Sequence, residues 1–375
     1  MRRVAGLAIV IAARAHASPW TVTAEAGTEV DTNVQRVETG PGLDTSPVVS
    51  PVLRIGARAD RKANALGGAY SLHLADLTRV AGDRSVSVED VALLAGDARW
   101  LHPLGDRPVA AGIGVTAADA FALDDQYGAR TFRNLGADLL VTAHSGDDHR
   151  LSLGFGARDF VYKPPTEPAH LFDWSGPVAS ARLDLMLWQP AGGARSLELA
   201  TTLGIEARTY GARAFVNACP PNSPPDPQCS ASTDLPRRDR ASRAGVELTW
   251  VGRQVASIGY QLTVIDSNSF GQSFARHRVL ASGTMSVGKT YVSLLAILQI
   301  DQYLDGLLVQ RDLQHAEFTN IEDENRSSAQ LHVARKLTSE WTIEGRVAYW
   351  RNILGTTMDL AFQRAVFYGG IVYSR

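Results

Sequence analysis

The sequence predicts an all-β fold, a transmembrane antiparallel up-and-down β-barrel of about sixteen strands with short periplasmic turns and long extracellular loops. Three observations carry that expectation. Apolar and polar residues alternate with period two along most of the chain. The connections alternate between short and long. Past the N-terminus, no apolar run approaches the ~20 residues a spanning helix requires.

The alternation is plainest in six segments. Trp20, Val22, Ala24 and Ala26 are interleaved with Thr21, Thr23 and Glu25. Ala181, Leu183, Leu185 and Leu187 are interleaved with Arg182, Asp184 and Met186. The same pattern recurs over 197–206, 243–250, 257–264 and 341–349. A strand places such residues on two opposite faces, whereas a helix would scatter them around a cylinder.

The connections separate a membrane barrel from a soluble sandwich. Short ones are expected at 60–64, 102–107, 145–150, 189–195, 251–254, 288–289 and 337–340. Longer, polar, Gly- and Pro-rich ones are expected at 31–47, 77–85, 118–133, 161–175, 210–240, 266–275, 302–325 and 352–360. An even number of strands returns the C-terminus to the side on which the N-terminus began. Trp20, Trp100, Phe155, Trp250, Trp341, Tyr349 and Tyr373 are read as girdle residues at the membrane boundaries.

Residues 1–17 read as a cleaved secretory signal. Arg2 and Arg3 precede an apolar stretch from Val4 to Ala13, and Ala15-His16-Ala17 is an A-x-A cleavage site. The barrel is then 18–375, with no room for an N-terminal plug domain. The expected location is the bacterial outer membrane, with its lipid and the barrel-insertion machinery as partners. Export also exposes the two cysteines to an oxidising compartment, so Cys219 and Cys229 are expected to close a Pro-rich loop as a disulfide.

Several chemistries are disfavoured. A net charge of -2, from 37 basic and 39 acidic residues, gives no reason to expect nucleic acid. Gly283, Gly288, Lys289 and Thr290 match the phosphate-loop pattern G-x-x-x-x-G-K-[ST], but strand alternation runs through the match and a hairpin turn is due at 288–289. His144 and His149 flank Ser145-Gly146-Asp147-Asp148, a nucleophile–base–acid combination that also reads as an ordinary turn. Neither cysteine has metal-ligand spacing to a histidine. No enzyme, cofactor or metal is expected.

The functional candidates are the charges that alternation turns inward: Glu25, Arg54, Arg58, Asp97, Arg99, Arg158, Arg182, Asp184, Glu198, Glu206, Arg208, Arg243, Glu247, Arg278, Glu344 and Arg346. Facing lipid near the midplane, a basic group would cost about 2–4 kcal/mol and an acidic one less. Inside, these groups either line a water-filled channel or pair across the lumen and fill it. The 210–240 connection is the one expected to be most able to fold inward.

The stretch Glu25-Ala26-Gly27-Thr28-Glu29-Val30-Asp31-Thr32-Asn33, followed by Arg36-Val37-Glu38, resembles the opening strand of several outer-membrane barrel families, with Val30 standing where their pattern has tyrosine. Among them the chain is similar to the integral barrels that export surface polysaccharide in Gram-negative bacteria. That resemblance implies a polysaccharide exit channel and a periplasmic polysaccharide-export protein as partner. The residues themselves leave open a general diffusion porin, or a structural barrel that anchors a partner or displays its loops. At the C-terminus Tyr373 offers the aromatic residue that such barrels place on the lipid face, with Ser374 and Arg375 beyond it.

Overall fold

The computed structural model describes residues 20–37, 39, 46–123, 131–146, 148–163, 173–190, 194–221, 223, 229–304, 327–351 and 362–375. The expected signal, 1–17, lies outside them. The strands are β1 Trp20–Asp31, β2 Ser50–Ala65, β3 Gly68–Ala81, β4 Val91–Pro103, β5 Val109–Ala122, β6 Phe132–Ser145, β7 His149–Tyr162 and β8 Trp174–Trp188. They continue as β9 Ser196–Asn217, β10 Ser230–Val251, β11 Gln254–Ser267, β12 Phe274–Val287, β13 Thr290–Tyr303, β14 Ser327–Lys336, β15 Trp341–Arg351 and β16 Gln363–Ser374.

Each strand pairs antiparallel with its neighbours in sequence, and β1 pairs with β16, closing a sixteen-strand barrel. Closure follows from the solvent. In hydrocarbon an unpaired backbone amide costs several kcal/mol, so a sheet with free edges cannot cross a bilayer. The outer face is apolar and exposed, with Ile113, Leu139, Leu203, Ile258, Leu294 and Ile371 among its large side chains. Together, the closed sheet and this outer belt make the chain an integral outer-membrane barrel.

The short turns use left-handed backbone where the chain must reverse. Gly67, Gly105, Gly146 and Gly288 have φ values of 72°, 65°, 64° and 60°. Gly288 is the second glycine of the phosphate-loop match. It and Lys289 join β12 to β13, with Val287 opposite Thr290, so the match is a hairpin and not a strand-to-helix phosphate cradle.

Near the short-turn side, aromatic rings line the outer face. Trp188 stacks on Trp250 at 5.7 Å, Trp341 packs against Tyr373 at 5.1 Å, and Arg61 lies over the rings of Trp20 and Tyr70 at 5.2 and 5.4 Å. Such rings suit the membrane boundary, where one edge is wet. Phe155 departs from the girdle expectation. It sits mid-strand, opposite Leu139 and Ala179, at the depth of the aliphatic belt.

Two long connections differ from the sequence reading. The one expected at 77–85 is displaced, because β3 runs to Ala81. Residues 84–89 then form a short 3-10 turn, whose Asp83 cap accepts from the Ser85 amide at 2.9 Å. The Ser85 hydrogen bonds hold the Asp83 carboxyl below the ordinary aspartate range. Val86 of this turn is buried against Val34, Val52 and Ala81.

The 210–240 segment is not a loop free to fold inward. It is largely strand, since β9 and β10 are each 22 residues long and stay paired as far as Asn217 and Ser230. Alternation persists there in small residues, with Ala212 and Ala214 buried between exposed neighbours. Cys219 and Cys229 form a disulfide beyond the hairpin's paired end, with Cα atoms 4.9 Å apart. The ladder shifts register around Pro236, which has no amide to donate. Asn268, from the β11–β12 connection, patches the irregularity: its Oδ1 accepts from the Arg238 amide at 2.7 Å and its Nδ2 donates to the Pro236 carbonyl at 3.0 Å.

Not every charge is inward. Asp119 and Arg133 face each other on the outer face of β5 and β6, and Lys163 is ion-paired to Asp119. These lie toward the loop ends of their strands, where headgroups begin. Asp76 lies well inside β3 on the outer face, between Ala57 and Leu94. Replacing Asp76 by leucine removes a polar group from the apolar belt. Urea unfolding from lipid vesicles should therefore show Asp76→Leu more stable than wild type by roughly 1–2 kcal/mol.

Candidate functional site

The register sets all sixteen candidates on one face of the sheet, opposite the face that carries the exposed apolar belt. Glu25, Arg54 and Arg58 come from β1 and β2; Asp97 and Arg99 from β4; Arg158 from β7; Arg182 and Asp184 from β8. Glu198, Glu206 and Arg208 come from β9, Arg243 and Glu247 from β10, Arg278 from β12, and Glu344 and Arg346 from β15. They do not gather into one constellation. They divide by depth into two environments.

Toward the loop side most of the inner charges are buried and paired, while Arg243 stays half-exposed. Asp31, fully buried, accepts from Arg364 at 2.6 Å and from Arg79 at 3.1 Å, and Arg79 also binds Glu29. Arg54 donates to Glu25 at 2.8 Å. Arg276 grips Asp301 with two hydrogen bonds of 2.9 and 3.1 Å. Glu206 accepts from Arg208 at 3.2 Å and Arg243 at 3.3 Å. Arg158 and Asp138 form a two-pronged pair with both bonds at 2.8 Å. Such planar, two-bond pairs are the strong form of the arginine–carboxylate interaction.

Between these ion pairs lie buried rings. Phe132, Phe160 and Trp174 stack in series across β6, β7 and β8, and Arg208 caps Trp174 with its guanidinium 4.6 Å from the ring centroid. Tyr210 belongs to the same cluster, with Arg237 lying over its ring at 4.1 Å.

Toward the short-turn side most inner charges are open to solvent, with Glu344, bonded to His332 at 2.8 Å, the buried exception. Arg99 is 62% exposed and meets Asp97 only at 3.9 Å. Arg58 and His73 share Asp60 at 2.7 and 2.6 Å. Arg150 and Arg182 share Asp184 at 3.0 and 2.8 Å. Beside them lies a cavity of about 390 Å³, bounded by His144, Asp148, His149, Arg182, Glu198 and Glu247 among others. The His144–Asp148 group thus forms part of a polar rim. The larger concavity, about 1140 Å³, is lined mostly by outer-face side chains such as Leu72, Leu94, Val115, Ala137 and Pro177, and so belongs to the lipid side. Among the described residues, no cluster of His, Cys, Asp or Glu has the arrangement of a metal site.

Sequence reading missed Glu29, Asp31, Asp60, His73, Arg79, Asp138, Arg150, Arg276, Asp301 and Arg364. The signal was present for some of them. Glu29 and Asp31 continue the parity of Glu25, and the sequence pattern sets the start of the first loop at Asp31. Arg79 fell in a segment read as loop.

No protein-family model matches the chain, and no curated protein matches it. Among solved structures the chain is similar to in-vitro folded OmpT, an outer membrane protein of Vibrio cholerae. That match has 13% identity, a TM-score of 0.43, and spans 96% of this chain and 99% of that one. OccK11 of Pseudomonas aeruginosa matches at 12% identity and a TM-score of 0.39, over 95% and 96% of the two chains. A mutant of the Rh. blastica porin matches at 13% identity and a TM-score of 0.34, over 95% and 99%.

The buried pairs carry a stability prediction. Asp31→Asn removes the carboxylate that two guanidiniums share and leaves both in a dry site. Breaking a buried pair in this way costs about 3–5 kcal/mol. Urea unfolding from vesicles should show that loss, whereas Asp97→Asn in the open half should change stability by less than about 1 kcal/mol.

Proposed function

We propose that this barrel is a passive channel for small hydrophilic solutes. The observation that carries the reading is the wet, doubly charged inner wall of the short-turn half, where Arg58, Arg99, Arg150 and Arg182 stand exposed beside carboxylates. A barrel of about sixteen strands is too wide for side chains alone to fill. Exposed charges of both signs on such a wall screen solutes by charge while keeping the lumen hydrated. A scaffold that only held its strands together would have no use for solvent-exposed arginines there.

Export of a surface polysaccharide, which the opening strand suggests, has less support. A sugar chain slides best along accessible rings and hydroxyls. Here Phe132, Phe160, Trp174 and Tyr210 are buried against one another and against arginine. Paired charges dominate the loop-side half. That arrangement suits a filter for small solutes better than a path for a polymer.

The test is single-channel recording of the refolded barrel in a planar bilayer, with neutral sugars of graded size. A steady conductance blocked by monosaccharides and disaccharides but unaffected by long oligosaccharides supports a small-solute channel. Entry of long oligosaccharides returns the reading to polymer export. A folded barrel with no conductance leaves a scaffold. In the conducting case, Arg99→Glu should shift the reversal potential in a salt gradient toward cation selectivity.

A further inference from the structure

We infer that the 390 Å³ cavity at the short-turn mouth is a binding site for small zwitterions, free α-amino acids or dipeptides, carrying an ammonium group and a carboxylate. The inference rests on the channel reading for the solute's route, and on the wall's own chemistry for its binding. Its volume lies within the range of small-molecule sites.

The two walls of the cavity differ in charge. On β7 and β8, Arg150 and Arg182 both direct donors to the single carboxylate of Asp184, and Asp148 of the preceding turn also borders this side. A guanidinium has five N–H donors, and here each uses only part of its set, so donors remain for an incoming carboxylate. Both arginines are about half exposed, so a solute can reach them.

On β9 and β10 the wall is acidic. Glu198 accepts from Ser196 at 2.8 Å, and among the described residues no cation pairs with Glu198 or with Glu247. Glu247 lies opposite Ala200, and Ala200 lies opposite Asp184. A methyl side chain therefore floors the gap between the basic and acidic walls. Two strand spacings separate Asp184 on β8 from Glu247 on β10, about 10 Å from backbone to backbone. With side chains reaching in from both sides, the gap suits one residue or two of extended chain, each about 3.5 Å long.

Charge separation across a small floor distinguishes this place from the rest of the lumen. Elsewhere on the described wall, acidic groups sit against basic neighbours, as Asp60 does with Arg58, Asp138 with Arg158 and Asp301 with Arg276. Here the arginines have converged on one carboxylate and the two glutamates are left over. An ammonium group between Glu198 and Glu247, with its carboxylate toward Arg150 and Arg182, satisfies both walls at once.

The probe is diglycine, titrated calorimetrically into the folded, detergent-solubilised full barrel, alongside glycinamide, which lacks the carboxylate, and N-acetylglycine, which lacks the ammonium. Diglycine should bind at least about tenfold more tightly than either, since each of them forgoes one charge-assisted contact. The double variant Glu198→Gln/Glu247→Gln should lose about tenfold or more in diglycine affinity. Ala200→Leu keeps every charge and fills the floor, and it should abolish binding; circular dichroism checks that each variant is folded. No diglycine binding by wild type at about 50 mM, or equal binding by wild type and the double variant, overturns the site. A barrel that conducts but does not bind diglycine keeps the channel reading and loses this one. A barrel that binds diglycine with this selectivity but passes no current keeps the site and loses the channel.

Discussion

The structure depends on one seam. A sheet that crosses hydrocarbon must pair its first strand with its last, and here the residues at that junction do more than alternate. Asp31 takes Arg364 of β16 in a buried ion pair. The Thr32 amide donates to the Ala365 carbonyl at 3.0 Å, while its hydroxyl accepts from the Ala365 amide at 2.8 Å. Asn33 donates to the Gln363 carbonyl at 3.1 Å and exchanges hydrogen bonds with Val37, which closes the turn at 33–37. Three consecutive residues thus carry the seam past the end of β1. Lower down, Gly27 and Gly370 leave room for the Tyr368 ring, and a Cβ at either position would collide with it. The stretch that resembles other barrel families is therefore the one that closes this barrel.

With closure fixed, parity assigns every other side chain to lipid or lumen. The lumen is graded along its depth. Its loop-side half is held by guanidinium–carboxylate pairs and stacked rings that exclude water, and its short-turn half keeps its charges wet. The same residue types serve both ends, and burial decides what they do. Arg79 and Arg364 hold strands together around Asp31, while Arg99 and Arg182 face an aqueous mouth. The long β9–β10 hairpin belongs to the first group. It is pinned by its disulfide, by Asn268 at the Pro236 irregularity, and by a hydrogen bond from the Phe270 amide to the Phe215 carbonyl at 2.9 Å.

The architecture was legible because period two is a strong signal when each strand is long and has one face in lipid. The strand number, the closure and the inner parity of Arg158, Arg182 or Glu344 all follow from it. Three things were not legible. Strand ends were blurred where polar residues continue the inner parity, so Asp31, Arg79 and the rising part of β9–β10 read as loop. Exceptions such as Asp76 and Asp119 break the lipid-face rule, and one chain's pattern does not reveal what offsets them. Pairing across strands, which separates buried Asp31–Arg364 from open Asp97–Arg99, is set by register between distant segments and not by local spacing.

The most direct test of the face assignment on which all this rests is cysteine accessibility at two adjacent positions of β5. Val115 is assigned to lipid and Thr116 to the wet inner wall. Single variants Val115→Cys and Thr116→Cys, with the native disulfide left intact, would be treated in vesicles with a membrane-impermeant maleimide. Labelling of Thr116→Cys but not of Val115→Cys is the predicted result. The reverse pattern would contradict the barrel's inside-out assignment, and labelling of neither would contradict a water-filled inner wall.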